Sequence, residues 1–363
     1  MADARSSRLA ALVDAMQHAH LDALLVTSLP NVRYLTGFGG TSALLLVTHR
    51  GDVVLITDFR YQTQAAEQVG DRARVVIEAQ SLWTGLWQQL AALAYVEVVG
   101  FESAHVLHRD FQRLLDAGAR WTWRPTADLV ERLREHKDAD EVARIREAGV
   151  VAVTALERTL AEVRPGLTEL AVAGILERAL REAGSEGFPF ETIVASGPRA
   201  ALPHARAAAR ELQRGDFLLI DFGAIVEGYC ADVTRTVVLG RADERQREVY
   251  DVVRAANALA SAQVRVGQTG RDADALARDY IDGRGYGDAF GHSLGHGIGL
   301  EVHEAPRLAR SAEAILPPDS VVTIEPGIYL PGWGGVRIED DVHLAPTGPE
   351  VLTHFTRELL ELS

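Results

Sequence analysis

The chain has 363 residues, 47% apolar and 24% charged, and 51 acidic residues against 37 Lys and Arg give a formal net charge of −14. The length exceeds one typical domain and suits two, and the composition excludes a disordered or low-complexity protein. The negative balance argues against nucleic acid or an anionic membrane as the main partner, and a single cysteine, Cys230, leaves no intrachain disulfide and fits a reducing cytoplasm.

The opening MADARSSRLAALVDAMQ carries charges where a secretion signal needs an apolar core, and no run of 18 apolar residues occurs. A cytoplasmic protein is therefore expected, neither secreted nor membrane-spanning. Residues 8–19 have apolar positions at helical spacing and predict an amphipathic helix. Short apolar runs follow at 22–27, 42–48, 52–57, 74–78 and 96–100, separated by turns and helical stretches. They predict an α/β domain around a mostly buried sheet. The stretch RPTADLVERLREHKDADEVARIREAG from Arg124 onward is strongly charged and helical in period. It sets a boundary near residue 130, giving domains 1–130 and 131–363, with this helix opening the second.

The second domain is expected to be α+β. Helices are predicted at 139–163, 167–183, 243–265 and 271–282, with Thr168 after Gly166 and the segment after Gly270 as helix starts. Between them lie two hairpins. One is FLLIDFGAIVEGYCADVTRTVVL, turning at Glu227-Gly228; the other is VVTIEPGIYLPGWGGVRIEDDVHL, turning at Gly332, Gly334 and Gly335. Cys230, in the first, reads as a buried structural cysteine rather than a ligand.

Each hairpin carries two acids, Asp221 and Asp232 in the first, 11 residues apart, and Glu325 and Glu339 in the second, 14 apart. Folding a strand back on its partner brings such acids opposite or diagonal to each other. Any one acid alone would read as a turn or cap residue. Four together in apolar strands would repel and be costly to desolvate, unless two divalent cations turn repulsion into coordination. The adjacent Asp340 and Asp341 read as outward-facing or loop acids. Residues 291–304, GHSLGHGIGLEVHE, add His292, His296 and His303. Four glycines make a helix poor there, so the segment predicts a loop leading into a strand. No HExxH occurs, which disfavours a zincin. Oxygen donors with one imidazole suit Mn²⁺ better than a structural zinc, with Co²⁺ or Zn²⁺ as alternatives.

The set DFG, GYCADVTRT, GHSLGHGIGLEVHE, TIEPGIY and GGVRIED resembles the M24 metallopeptidases of pita-bread fold, above all Xaa-Pro aminopeptidases and Xaa-Pro dipeptidases (prolidases). NVRYLTGFGG and TDFRY resemble the creatinase-type N-terminal domain, and FETIVASGPRAALPHA the start of the catalytic one. The resemblance implies a homodimer with a two-metal site. In it Asp232 and Glu339 bridge both ions, Asp221 binds one, and His296 and Glu325 bind the other. It further implies a substrate-side role for His204, substrate-orienting or oxyanion-stabilising roles for His292 and His303, and a supporting role for Arg337. The implied reaction is hydrolysis of the bond before proline, with Glu325 as proton carrier. That bond lacks an N–H, so a dedicated site is required. The short N-terminal domain and the NVRYLTGF–DFRY pair lean toward an aminopeptidase over a dipeptidase. A metal-free creatinase-like amidinohydrolase or a non-enzymatic peptide-binding module would lack the full acid set.

Overall fold

The computed structural model describes residues 4–363, and the chain divides into two compact units, Met1–Arg134 and Glu135–Ser363. The first unit begins with α1 (Ala4–His18), β1 (Ala23–Val26) and α2 (Leu29–Thr36). The hairpin strands β2 (Ala43–Thr48) and β3 (Val53–Asp58) follow, then α3 (Gln62–Val69), β4 (Arg74–Glu78) and α4 (Leu82–Ala92). It closes with β5 (Val98–Glu102), α5 (His108–Ala117), β6 (Thr122–Thr126) and α6 (Glu131–Arg134). Among the described residues these strands form one mixed sheet in the order β4-β3-β2-β1-β5-β6. The central runs ALLV and ALLLVT are buried throughout, as unbroken apolar strands covered on both faces should be.

The region after Arg124 departs from the predicted continuous helix. Residues 122–126 pair with β5 as an edge strand, where Pro125 costs no ladder bond. The helical run then breaks at 135–138. A new helix, α7 (Ala139–Glu162), starts from a capping box in which Asp138 and Glu141 each accept the other's backbone N–H.

In the second unit α7 and α8 (Glu169–Ala183) pack on a sheet of β7 (Ile193–Ser196), β8 (Phe217–Val226), β9 (Tyr229–Leu239) and, at the C-terminus, β17 (Glu361–Leu362). Helices α9 (Glu244–Gln263) and α10 (Gly270–Asp282) share a second core with β12 and β15 of another sheet. That sheet runs β11 (Glu304–Leu308), β10 (Gly295–Gly297), β12 (Val321–Ile324), β15 (Asp340–Ala345) and β16 (Gly348–Val351). Strands β13 (Gly327–Leu330) and β14 (Gly334–Arg337) form a small separate ribbon. The helix starts predicted at 168 and near 270 are real, capped by Thr168 and Thr269. Among the described residues, no helix is long and apolar enough to cross a membrane.

The first hairpin turns through Glu227 (φ 45°) and Gly228 (φ 79°), two left-handed residues that match the twist of the flanking strands. The glycines around His296 have a different reason. A Cβ at Gly295 would lie 1.9 Å from the Thr323 carbonyl oxygen, and one at Gly297 2.1 Å from that of Ala305. Only glycine lets β10 pass this close to β11 and β12, so His296 sits on a strand rather than in the loop before one.

Asp340 and Asp341 are buried, against the expectation that they face outward. Asp340 accepts from Arg235 Nη2 and Arg357 Nε, both at 2.7 Å, while Asp341 accepts the Asp232 N–H at 3.1 Å. Burial alone would raise the Asp340 carboxyl, but its two guanidinium partners hold it below the ordinary range. Arg235 also donates to the carbonyl of Glu339 at 2.6 Å and to those of Phe355 and Thr356, tying the C-terminal segment to the strand that leads out of Glu339. Asp340→Ala leaves Arg235 buried beside a lost charge, which typically costs ~3–5 kcal/mol. The melting temperature should fall by roughly 10 °C; a change within about 2 °C would show that the carbonyls alone satisfy Arg235.

Candidate metal centre

Register explains how four acids meet. Asp221 pairs with Thr234 across the first hairpin, Asp232 pairs with Gly223, and Thr234 forms an isolated bridge to Glu339. In the other sheet Ile324 pairs with Asp340, which leaves Glu325 and Glu339 just beyond the end of the β12–β15 ladder. Thr234 Oγ1 donates to Glu339 Oε2 at 2.5 Å, and the Glu339 N–H donates to the Thr234 carbonyl at 3.1 Å. Donor atoms of Asp232, His296 and Glu339 all lie within 4.8 Å of one another. Glu325 joins through His296, whose Nε2 is 3.6 Å from Oε1 and also 4.0 Å from Asp232 Oδ2. Asp221 is engaged by Arg337 Nη2.

Among the described residues, Arg337 is the one cation hydrogen-bonded to a carboxylate of these four acids. It donates from Nε to Thr234 Oγ1 at 3.1 Å and from Nη1 to the Tyr329 hydroxyl at 2.7 Å and the Pro203 carbonyl at 3.3 Å. That last bond anchors the turn carrying His204, which is exposed. His303 is also exposed, with its ring 4.4 Å from that of His296, centroid to centroid. Partial desolvation on the side facing His296 and the nearby Arg307 push the His303 ring down. His292 makes two bonds, Nδ1 to the Ser293 carbonyl and Nε2 to the Tyr329 hydroxyl, both 2.8 Å. Both ring nitrogens of His292 thus already have partners within the protein.

Electrostatics give the cluster its character. Burial first, then the neighbouring carboxylates, raise Asp232 and Glu325 well above the ordinary range and push Glu339 up to about 8. Arg337 offsets this only in part. Burial pushes both His296 and His292 down to about 4, so their rings are neutral near pH 7.

Three observations test whether divalent cations suit these residues. The carboxylates hold more buried negative charge than one arginine can balance. Among the described residues, Asp232 Oδ1 is buried with no hydrogen-bond partner. His296 Nδ1 lies 3.0 Å from the Gly297 carbonyl, which can only accept, so Nδ1 carries the proton and the Nε2 lone pair faces the acids. The donor set fits. Cys230 is buried, and its burial raises the thiol, so it stays an inert structural residue.

Thr234 and Tyr329 were not singled out from the sequence, and Asp341 was set aside there as an outward-facing or loop acid. The two-residue step from Asp232 to Thr234 puts both on one face of β9 and was a usable signal; the hydroxyl of Tyr329 carried none.

The model of metallopeptidase family M24 matches residues 143–346, and that of the creatinase/prolidase N-terminal domain matches residues 8–136. A Xaa-Pro dipeptidase of Pyrococcus horikoshii is 33% identical over 99% of this chain and 100% of its own. The structure of a Xaa-Pro dipeptidase from Bacillus anthracis aligns with a TM-score of 0.94 at 39% identity, covering 99% of this chain and 100% of that one. The structure of an X-Pro aminopeptidase from Thermotoga maritima aligns with a TM-score of 0.89 at 36% identity, covering 97% and 99%.

Proposed function

The chain belongs to metallopeptidase family M24, and on that footing we propose that this metallo-exopeptidase is an Xaa-Pro dipeptidase, splitting a free residue from a C-terminal proline. The observation that carries the reading is the end-to-end match to Xaa-Pro dipeptidases combined with an intact set of acids and imidazole. It favours the dipeptidase alternative over the aminopeptidase toward which the N-terminal segments lean. NVRYLTGF and DFRY shape α2 and the end of β3 and say nothing about the space beyond proline.

In this reading Asp221, Asp232, His296, Glu325 and Glu339 hold two divalent cations, of which Mn²⁺ suits a set of oxygen donors with one imidazole. Such ions supply Lewis acidity toward the scissile carbonyl and lower the proton affinity of water. The chain's own residues do the rest. Glu325, whose raised proton affinity suits a proton carrier, takes a proton from the attacking water and returns it to the proline nitrogen. His303, exposed beside His296, donates to the developing oxyanion. His204 binds on the substrate side. Arg337 acts by holding Asp221 and Tyr329. A homodimer is the assembly the family resemblance implies.

The second reading is an Xaa-Pro aminopeptidase, favoured by the Thermotoga maritima structure. Mn²⁺-loaded protein given an Xaa-Pro dipeptide and an Xaa-Pro-Xaa-Xaa peptide together, with mass spectrometry and an EDTA control, separates the two. Cleavage confined to the dipeptide and abolished by EDTA is the expected result. Release of the first residue of the longer peptide would make it an aminopeptidase, and cleavage of neither would reject proline-directed hydrolysis.

A further inference from the structure

Helix α10 carries a buried ion pair that the proposed mechanism leaves unused. Arg278 bonds Asp274 through Nε at 2.5 Å and Nη2 at 2.8 Å, and both residues are more than nine-tenths buried. The pair grips the loop that bears His292 at alternate residues. Arg278 Nη1 donates to the Phe290 carbonyl at 2.9 Å, and Nη2 donates to the His292 carbonyl at 2.7 Å. Asp274 Oδ1 accepts the Leu294 N–H at 3.0 Å. The guanidinium also lies 4.1 Å from the centre of the Phe290 ring, which meets His292 edge-on at 5.1 Å.

We propose that Asp274 and Arg278 are positioning residues that fix the tautomer of His292 and, through it, the orientation of the Tyr329 hydroxyl. Holding residues 290, 292 and 294 leaves the Ser293 carbonyl turned toward His292 Nδ1. A carbonyl only accepts, so Nδ1 bears the proton and Nε2 of the neutral ring keeps a lone pair. The Tyr329 hydroxyl must then donate to Nε2, and its oxygen accepts from Arg337. The bond directions thus run from a helix outside the acid cluster, through His292 and Tyr329, to the arginine that holds Asp221. The same loop seats Glu325, whose N–H donates to the Leu294 carbonyl at 2.8 Å. A buried ion pair is a poor device for stability alone, since well-packed apolar residues often serve as well. A guanidinium fork that meets a carboxylate and two carbonyls at once is a good device for orientation.

The inference rests on the proposed function only in that His292 and Tyr329 serve the peptidase site. The test is a double-mutant cycle of Arg278→Lys and His292→Gln, read as kcat/KM on an Xaa-Pro dipeptide. Lysine keeps the charge and loses the fork. Arg278→Lys should cost roughly 10- to 100-fold in the wild-type background, as orienting partners of site residues do. In the His292→Gln background it should cost less than about threefold. The same loss in both backgrounds would make the pair merely structural and overturn the proposal. An independent readout is the ¹⁵N spectrum of ring-labelled histidines in metal-free protein, with His292 identified as the signal missing from His292→Gln. Nδ1–H alone in the wild type, and both tautomers in Arg278→Lys, are expected. An unchanged tautomer would overturn the proposal even if the enzyme acts on Xaa-Pro peptides, and the expected change would uphold it even if it does not. Should Arg278→Lys not fold, Asp274→Asn, which keeps one acceptor oxygen, serves both readouts with the same expectation.

Discussion

Glu325→Ala is expected to lower kcat/KM for an Xaa-Pro dipeptide by at least ~1000-fold, toward the upper part of the range for a general acid–base residue, while the melting temperature of the metal-free protein rises. The two effects share one origin. Glu325 is a buried acid whose proton affinity is raised by burial and then by Glu339. It lies between His292, at 3.8 Å, and His296, at 3.6 Å. Removing it deletes both a proposed ligand and the proposed proton carrier, hence the loss of turnover and weaker metal binding. It also relieves repulsion among the remaining carboxylates, hence the gain in metal-free stability. A structural acid would behave in the opposite way, with activity kept and stability lost. Near-wild-type kcat/KM after Glu325→Ala would remove this residue from the mechanism.

The metal-free protein should lose stability as pH rises from 6.5 to 8, and divalent cation should abolish that loss. Glu339 has an ordinary value of 4.5 and stands at about 8 in the fold. Its folded state therefore binds more protons than the unfolded chain across that window. The stabilising contribution is complete below about 4.5 and disappears as pH climbs through about 8. Asp232, Glu325 and Asp341 shift in the same direction. His292 and His296 work on the acid side: pushed down to about 4, they favour the fold above 6.5 and cost stability as pH falls toward 4. Between 6.5 and 8 the carboxylates outweigh the last of the histidine contribution, and Glu339 alone should cost roughly 1.5 kcal/mol over that interval, at no more than about 1.4 kcal/mol per pH unit. Bound cations compete with protons for the same oxygens, so metal-loaded protein should not show the decline. Melting curves of EDTA-treated protein at pH 6.5 and 8, with and without added Mn²⁺, measure this. A metal-free melting temperature that holds or rises toward pH 8 would mean the acids are not repelling one another.

What could be read from the sequence follows from which physical rules the residues break. Acids at the ends of runs such as FLLI and VVTI contradict the ordinary partition of charge to the surface, so Asp221, Asp232, Glu325 and Glu339 stood out. The central strands were legible as unbroken branched apolar runs, whereas β6, TWRPT, is a polar edge strand with no such pattern. Asp340 and Asp341 were misplaced because their partners are remote in sequence; Arg235 lies 105 residues from Asp340, and Arg357 comes from the C-terminal segment. The pair Asp274–Arg278 has the i,i+4 spacing of an ordinary surface ion pair, and only the packing of α10 against the 290–294 loop reveals it as internal. The break before α7 was available as the capping box Asp138–Glu141, but dense surrounding charge hid it. The glycines around His296 argued against a helix but not for a strand at His296 itself, since that depends on the approach of β11 and β12.

Asp221, Asp232, His296, Glu325 and Glu339 are proposed to form a two-metal centre. Its most direct test is equilibrium dialysis of EDTA-treated protein against Mn²⁺ at pH 8, followed by elemental analysis, on the wild type and on Glu339→Ala. Two ions per chain are expected in the wild type, with at least one lost in the variant, because Glu339 is proposed to touch both. One ion or none in the wild type, or two retained without Glu339, would contradict it.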